Sequence, residues 1–506
     1  MRLANTFSVL GPALSRPAVQ YGRPQWTLCL PLLTLTALVL APPDLRLISS
    51  VFACITFVLM QWLIPECRFR KDNIYCAQNL AFALFLMRLV IVPVLIMAVG
   101  PVQSVLPFLP SKESMEWALV IDVFSFIGFC LGMRYMSARP LSRTHGTIAA
   151  ALSRVPSRGL VIAFVVLGAI GFVVAFGSIG RFLEYFRDPY TDGQLTKELS
   201  GSWKGFLGTV LRPFLAIGFV SVWARQLDIS FHRNKAWKYL AGAAVLAVAI
   251  VIANLTFSFN RAAFLFPLAS LIAVCNVRVK RISLAMIGTL AACAIPFLIS
   301  LGHYRTTPVP VGVEYEVPKT LFASFEDLSE HIQIYMTGPQ YTGFFYQETG
   351  WGQHLLGGSS LAASALSPIP ILGKGSREIS GLAIFNRAIY GNLGYEDQII
   401  PLDCELFANF HLPGVVLGFF GLGMLLASLQ RLFDSVTSAF GLFTIHYVGI
   451  WGAMLTVWSL AIYVQILFYF CIPFYTFLAL NALRKLIRST RRTVPVSAVS
   501  IGEFAR

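Results

Sequence analysis

Four arginines, two carboxylates, one histidine and one tryptophan are the residues of this chain best suited to chemistry. Arg261 stands in NLTFSFNRAAFLFP; Arg305, Arg377 and Arg387 follow in one long polar stretch. A guanidinium offers a planar fork of donors that matches a phosphate or diphosphate bidentately. Two or three of them together suit a diphosphate leaving group, whose charge grows in the transition state. Asp403 and Glu405 in PLDCELFANFHLPG, and His354 in WGQHLLGG, are candidates for a base that deprotonates a sugar hydroxyl. His303 and His331 are further proton-transfer candidates, whereas His411 reads as a buried, hydrogen-bonded histidine within a span. Trp351, Tyr341, Phe344 and Tyr346 could stack on sugar faces, although interfacial aromatics more often form a membrane belt. Each charged candidate also has a plainer use: an arginine at a span end snorkels to headgroups, and a carboxylate there is often just a span-end charge. No histidine pair has metal-ligand spacing and the 9 cysteines show no paired spacing, so no metal and no other cofactor is expected.

The elements that must position these residues are membrane helices. Of the 506 residues, 56% are hydrophobic and only 12% charged, about half the charged fraction of a soluble protein. The apolar residues fall in blocks long enough to cross roughly 30 Å of hydrocarbon as helices, and helices satisfy their backbone groups internally, as lipid demands. The blocks fall at about 26–42, 45–65, 78–100, 115–137, 158–177, 204–226, 237–257, 261–278, 282–302, 406–430, 436–458 and 459–482. The expected fold is therefore an all-α polytopic integral membrane protein of about 12 transmembrane helices. Segment 1–25 precedes nine spans in 26–302, a large loop occupies 303–405, three spans fill 406–482, and 483–506 is a basic tail.

Lys and Arg orient the chain. With both termini in the cytoplasm, most of the 39 basic residues lie inside and most of the 24 acidic residues outside. Basic inner loops facing anionic lipid account for the net charge of +15 without any nucleic acid. The loop 303–405 is thereby placed on the outer face. Within it, TLFASFEDLSEHIQIYM has apolar residues near helical spacing and reads as an amphipathic helix lying on the membrane or the bundle. LLGGSSLAASALSPIPIL reads as a re-entrant or surface-lying element. Arg88, Asp122 and Arg212 fall inside spans, where a charge pairs within the protein or lines a polar path. An Asp122–Arg structural pair and an ion path both fit. The chain lacks the phosphate-binding G-x-x-x-x-G-K-[ST], the H-E-x-x-H helix, the G-x-S-x-G elbow and a D-x-D pair. These absences argue against an ATP-driven pump acting alone and against a nucleotide-sugar transferase, and leave lipid-linked donors open.

The segment ELFANFHLPGVVLGFFGLGMLLASLQRLF resembles the late span of bacterial O-antigen polymerases, also called oligosaccharide repeat-unit polymerases. There a polar residue and Asn precede a Gly-rich helix; Asn409, Gly414, Gly418 and Gly421 stand at such positions, with His411 in place of the usual glycine. FNRAAFLFPLASLIAV is similar to a span start that carries Ser-Arg-Gly, and Arg261 and Leu265 are spaced as in the related O-antigen ligases. Asn260 and Ala262 flank the arginine, so the full tripeptide is not present. The resemblance covers mainly residues 170–430.

It implies a GT-C-like membrane glycosyltransferase in the bacterial inner membrane. A glycan on undecaprenyl pyrophosphate would be the donor, and the non-reducing sugar of a lipid-linked repeat unit the acceptor. Arg261 and Arg305, helped by Arg377 or Arg387, would hold the pyrophosphate; Glu405, Asp403 or His354 would be the base. Membrane lipid, a flippase and a chain-length regulator are the implied partners. Ligase-type transfer, which uses a histidine of the outer loop, is one alternative. A transporter of polysaccharide or lipid-linked oligosaccharide is another, and a structural partner of a polysaccharide complex a third.

Overall fold

A helix satisfies its own backbone hydrogen bonds, and the apolar blocks of this chain fold accordingly. The computed structural model describes residues 21–22, 24–103, 106–140, 142–178, 180, 203–232, 234, 236–255, 261–283, 285–286, 325–350, 353–369, 373–391 and 399–493. Among them the structure is helical, with a lone antiparallel bridge between Tyr21 and Arg70. In chain order the principal helices are α1 (Cys29–Leu40), α2 (Ser49–Leu63), α3 (Ala77–Val99), α4 (Lys112–Ala138), α5 (Arg143–Leu152), α6 (Arg158–Phe176), α7 (Trp203–Ser230), α8 (Ala236–Leu255) and α9 (Arg261–Arg278). They continue with α10 (Phe325–Tyr335), α11 (Pro339–Glu348), α12 (Ser359–Leu366), α13 (Gly381–Tyr390), α14 (Leu402–Ser435), α15 (Ala439–Met454), α16 (Leu460–Tyr469) and α17 (Ile472–Thr493).

Five of these, α3, α4, α6, α7 and α14, are long and apolar enough to cross a membrane; α16 and α17 reach that length only when taken together, across a bend of 52°. Apolar side chains such as Leu32, Leu40, Leu63, Ile162, Val245 and Leu417 are exposed, as lipid-facing positions are. The protein is thus helical and membrane-embedded. Helix α9 coincides with the expected span 261–278. The expected span 282–302 lies almost wholly outside the described residues, as do the loop's opening and the segment 181–202. The expected span 459–482 is not one straight helix. Its bend falls at Phe470–Cys471, just ahead of Pro473, whose ring cannot continue a regular helix.

The chain divides into two units. The first comprises Met1–Pro140, Phe322–Gln430 and Gly449–Tyr463. Its centre is an aromatic cluster: Phe57 of α2 stacks on Phe126 of α4 at 5.3 Å, and Phe85 of α3 meets Phe126 and Phe129 at 4.9 and 5.2 Å. Helices α4 and α14 approach backbone to backbone. A Cβ on Gly128 would lie 2.5 Å from the Val416 carbonyl oxygen, and one on Gly132 would collide with that of Phe420. Gly128 and Gly132 form the small-xxx-small spacing by which membrane helices pack closely.

The amphipathic segment of the loop does fold as a helix, α10. Its Ile332 packs on a cluster formed by Leu47, Val92, Ile96 and Leu119 among others, so α10 lies on the bundle.

The second unit comprises Leu141–Leu321, Arg431–Val448 and Val464–Arg506. Gly168 and Gly171 of α6 seat the α7 backbone at Leu215 and Leu211. Asp228 accepts the Ala439 N–H at 3.0 Å, capping α15, and takes Arg278 at 3.1 Å. His446 of α15 meets Ser270 of α9 at 3.2 Å.

Candidate functional site

Helix α14 is broken at its head. His411 has φ 58° and ψ −160°, and Pro413 supplies no N–H to the turn. The left-handed region disfavours any residue with a Cβ. The head, 402–410, bends back onto the helix that follows. A Cβ on Gly414 would lie 3.0 Å from the Leu406 carbonyl oxygen, and one on Gly418 would strike the Leu406 side chain. The glycines of this stretch therefore make room for the head.

The head brings both carboxylates into the interior. Asp403 is fully buried and receives two bonds from Arg88 of α3, Nη1 to Oδ1 at 3.3 Å and Nη2 to Oδ2 at 2.9 Å. Arg88 Nη2 also donates to Asp122 Oδ1 at 2.7 Å, and Nη1 to the Thr456 carbonyl at 2.5 Å. The expected Asp122–Arg pair exists, with Arg88 as its partner and Asp403 as a third member. Glu405 is equally buried. It accepts Ser364 Oγ of α12 at 2.5 Å and the N–H of Leu460, the first residue of α16, at 3.2 Å. It also accepts the N–H of Gly381, the first residue of α13. A carboxylate at two helix N-termini is held by both dipoles. Glu405 thus ties three helices together, and neither carboxylate faces solvent.

Asn409 closes the head. Its Nδ2 donates to Ser360 Oγ at 2.6 Å and to the Glu405 carbonyl at 2.7 Å, and its Oδ1 accepts the Gly358 N–H at 2.9 Å. The Leu356 N–H donates to the Ala408 carbonyl at 3.0 Å. Segment 353–358 is thereby docked on the head, and His354 within it is exposed.

No protein-family model, curated protein or solved structure matches the chain.

The remaining candidates are placed as follows. Arg387, on α13, is exposed and donates to the Glu378 carbonyl at 3.1 Å. Arg377 lies in a short turn, Arg377–Ile379, and Arg261 begins α9; their side chains lie outside the described part of the structure. Arg305, His303 and Trp351 lie outside the described residues altogether.

Two expectations are corrected. His411 is exposed, not buried, and its ring lies 4.4 Å from that of Phe407; the break in α14 turns it outward. Tyr341, Phe344 and Tyr346 are buried and present no face to a sugar. Helix α11 is wedged between neighbours on two sides: Phe344 meets Phe108 at 5.2 Å, and Tyr346 meets Phe407 at 4.8 Å. Burial pushes the Tyr346 phenol well above its ordinary range, so it stays protonated.

Sequence reasoning did not find Arg88 as the partner of Asp403. The signal was available in part, because a charge inside a span requires a partner. The three charges inside spans, Arg88, Asp122 and Arg212, did not say which of them meets another or a carboxylate beside a span.

Proposed function

We propose that this protein joins lipid-linked oligosaccharide units at the outer face of a bacterial inner membrane. In this reading the chain has about 12 spans, a GT-C-like arrangement and both termini in the cytoplasm. The donor glycan is carried on undecaprenyl pyrophosphate and the acceptor is the non-reducing sugar of a second lipid-linked unit. The acceptor oxygen bonds to the donor's anomeric carbon, the anomeric bond to the pyrophosphate breaks, and the lipid pyrophosphate leaves with the electron pair. The acceptor's proton passes to a base.

The observation that carries this reading is the docking of the His354 segment onto the broken head of α14, through Leu356–Ala408 and Gly358–Asn409. The loop thus presents an exposed imidazole beside the span end where the resemblance is densest. His411 adds support: it stands where the polymerase pattern has glycine, and its φ of 58° is the conformation glycine favours. His354 takes the role of base. Asp403 and Glu405, both buried, become positioning residues that hold the head and the loop helices. Arg387 and Arg377 are assigned to the pyrophosphate, and Arg261 and Arg305 remain candidates on sequence grounds.

A second reading, transport of the lipid-linked oligosaccharide, rests on one observation. Arg88, Asp122 and Asp403 form a buried cluster of charges within the spans, and such clusters often mark an ion path.

The deciding experiment gives purified protein in lipid a synthetic lipid-linked repeat unit, with no nucleotide sugar and no ATP. A ladder of products with release of lipid pyrophosphate is expected. Movement of the lipid between leaflets with no ladder would replace polymerisation with transport.

A further inference from the structure

A cavity of ≈ 500 Å³, lined by Ser111, Glu113, Ser114, Trp117 and Gln347, lies where the N-terminal end of α4 meets the C-terminal end of α11. We infer that it is a binding subsite for an uncharged saccharide unit. The hollow is open to the surface, and its lining among the described residues combines the two halves of sugar chemistry, an apolar face and polar groups. Trp117 is 53% exposed and offers an indole face to the C–H face of a pyranose ring. Glu113 sits one helical turn before Trp117 and is also exposed, so carboxylate and indole share one face of α4. Gln347 Oε1 accepts Ser114 Oγ at 3.3 Å, which leaves its amide N–H groups to donate. With the Ser114 proton on Gln347, the Ser111 hydroxyl donates to Ser114 Oγ across 2.9 Å, and Ser111 Oγ keeps acceptor capacity toward a ligand.

The lining argues against an anionic headgroup. Among the described residues of the lining none is a cation, and the neighbouring Lys112 is occupied with the Pro43 carbonyl at 2.9 Å. The walls are held in place. Glu116 accepts the Ile48 and Ser49 N–H groups, both at 2.6 Å, which fixes α4 to the start of α2. Gly343 lets α11 seat on α4, because a Cβ there would lie 3.0 Å from the Ser114 carbonyl oxygen. The fourth residue after Gln347 is Trp351, and His354 follows three later, so the chain runs from the cavity's rim directly into the segment assigned to catalysis. Sugar as the ligand class rests partly on the proposed function; the chemistry of the lining is independent of it.

The test uses full-length protein in lipid nanodiscs and a panel of methyl glycosides of glucose, galactose, mannose, rhamnose and N-acetylglucosamine, read by saturation-transfer NMR. At least one glycoside is expected to bind. Trp117→Ala should weaken that binding about tenfold, the loss of one good aromatic contact, while Trp117→Phe keeps part of it. Glu113→Gln should also weaken it. Both residues are exposed, and a monodisperse, unshifted melting profile checks that the variants fold. Absence of binding by every glycoside overturns the inference, and so does binding unchanged in Trp117→Ala and Glu113→Gln. Quenching of Trp117 by brominated lipid with no response to any glycoside overturns it too, because the indole is then a belt residue. Glycoside binding without a ladder from lipid-linked units leaves the subsite standing and removes the polymerase. A ladder without glycoside binding does the reverse.

Discussion

Arg88 and Asp403, 315 residues apart in the chain, meet through two hydrogen bonds at 3.3 and 2.9 Å with both side chains out of contact with solvent. The pair joins α3 to the head of α14, and Asp122 of α4 shares the same guanidinium. Removing one partner of such a cluster leaves uncompensated charge in a low-dielectric interior. Arg88→Leu should therefore destabilise the protein by about 3–5 kcal/mol. Replacing Arg88, Asp122 and Asp403 together with Leu should cost less than Arg88→Leu alone. Thermal unfolding in detergent, followed by fluorescence-detected size exclusion, checks the order. A triple variant less stable than the single one would mean that the cluster is worth more than its desolvation cost.

Gly421 and Gly423 lie two residues apart on α14 and should respond oppositely. A Cβ at Gly421 meets nothing within 4 Å, whereas one at Gly423 collides with the Phe129 carbonyl of α4. Gly421→Ala is expected to be neutral or mildly stabilising. Gly423→Ala should cost about 1–3 kcal/mol by overpacking, read in the same unfolding assay. Equal effects would contradict the close approach of α4 and α14.

Glu405 accepts from Ser364 and from the first N–H of two helices. Glu405→Gln puts an NH2 donor in place of one accepting oxygen, facing one of those donors, so at least one buried group loses its partner, at a cost of about 1–3 kcal/mol. Limited proteolysis should then cut the loop helices α12 and α13 faster than in the parent. A Glu405→Gln protein with parental stability and no ladder formation would instead make Glu405 a catalytic residue.

His354 is exposed, so His354→Ala should leave the melting temperature unchanged. If it is the base, the rate of ladder formation falls by about 10²–10⁴. Parental turnover would take His354 out of the mechanism.

His411→Gly should be tolerated or slightly stabilising, because glycine adopts φ 58° without strain. His411→Val should lose about 1–3 kcal/mol. If valine unfolds no more readily than glycine, the break in α14 lies elsewhere.

Much of the fold was legible along the chain. Hydropathy located α3, α4, α6, α8 and α9 to within a few residues, because an apolar block in lipid has no stable form but a helix. The spacing of Leu328, Ile332 and Tyr335 marked α10 as a helix, because residues three to four apart share a helical face, although only Ile332 of the three packs on the bundle while Leu328 and Tyr335 are exposed. Residue types picked out Asp403, Glu405 and His354 as groups able to handle a proton.

What these groups do was decided by tertiary structure. Asp403 and Glu405 are two positions apart in one loop-to-helix segment, and nothing local distinguishes them from solvent-facing carboxylates. Their burial follows from the break at His411, which folds the head of α14 inward onto Arg88, Ser364 and the start of α16. The tyrosines of α11 went into packing for a similar reason, since residues 339–346 are wedged between two neighbours and only the helix end at Gln347 is exposed. Trp117 and Gln347 come from segments far apart in the chain, and only folding places them around one cavity. Sequence sets which chemistry each side chain can perform; exposure and partners depend on contacts between distant segments, and those select which of it is used.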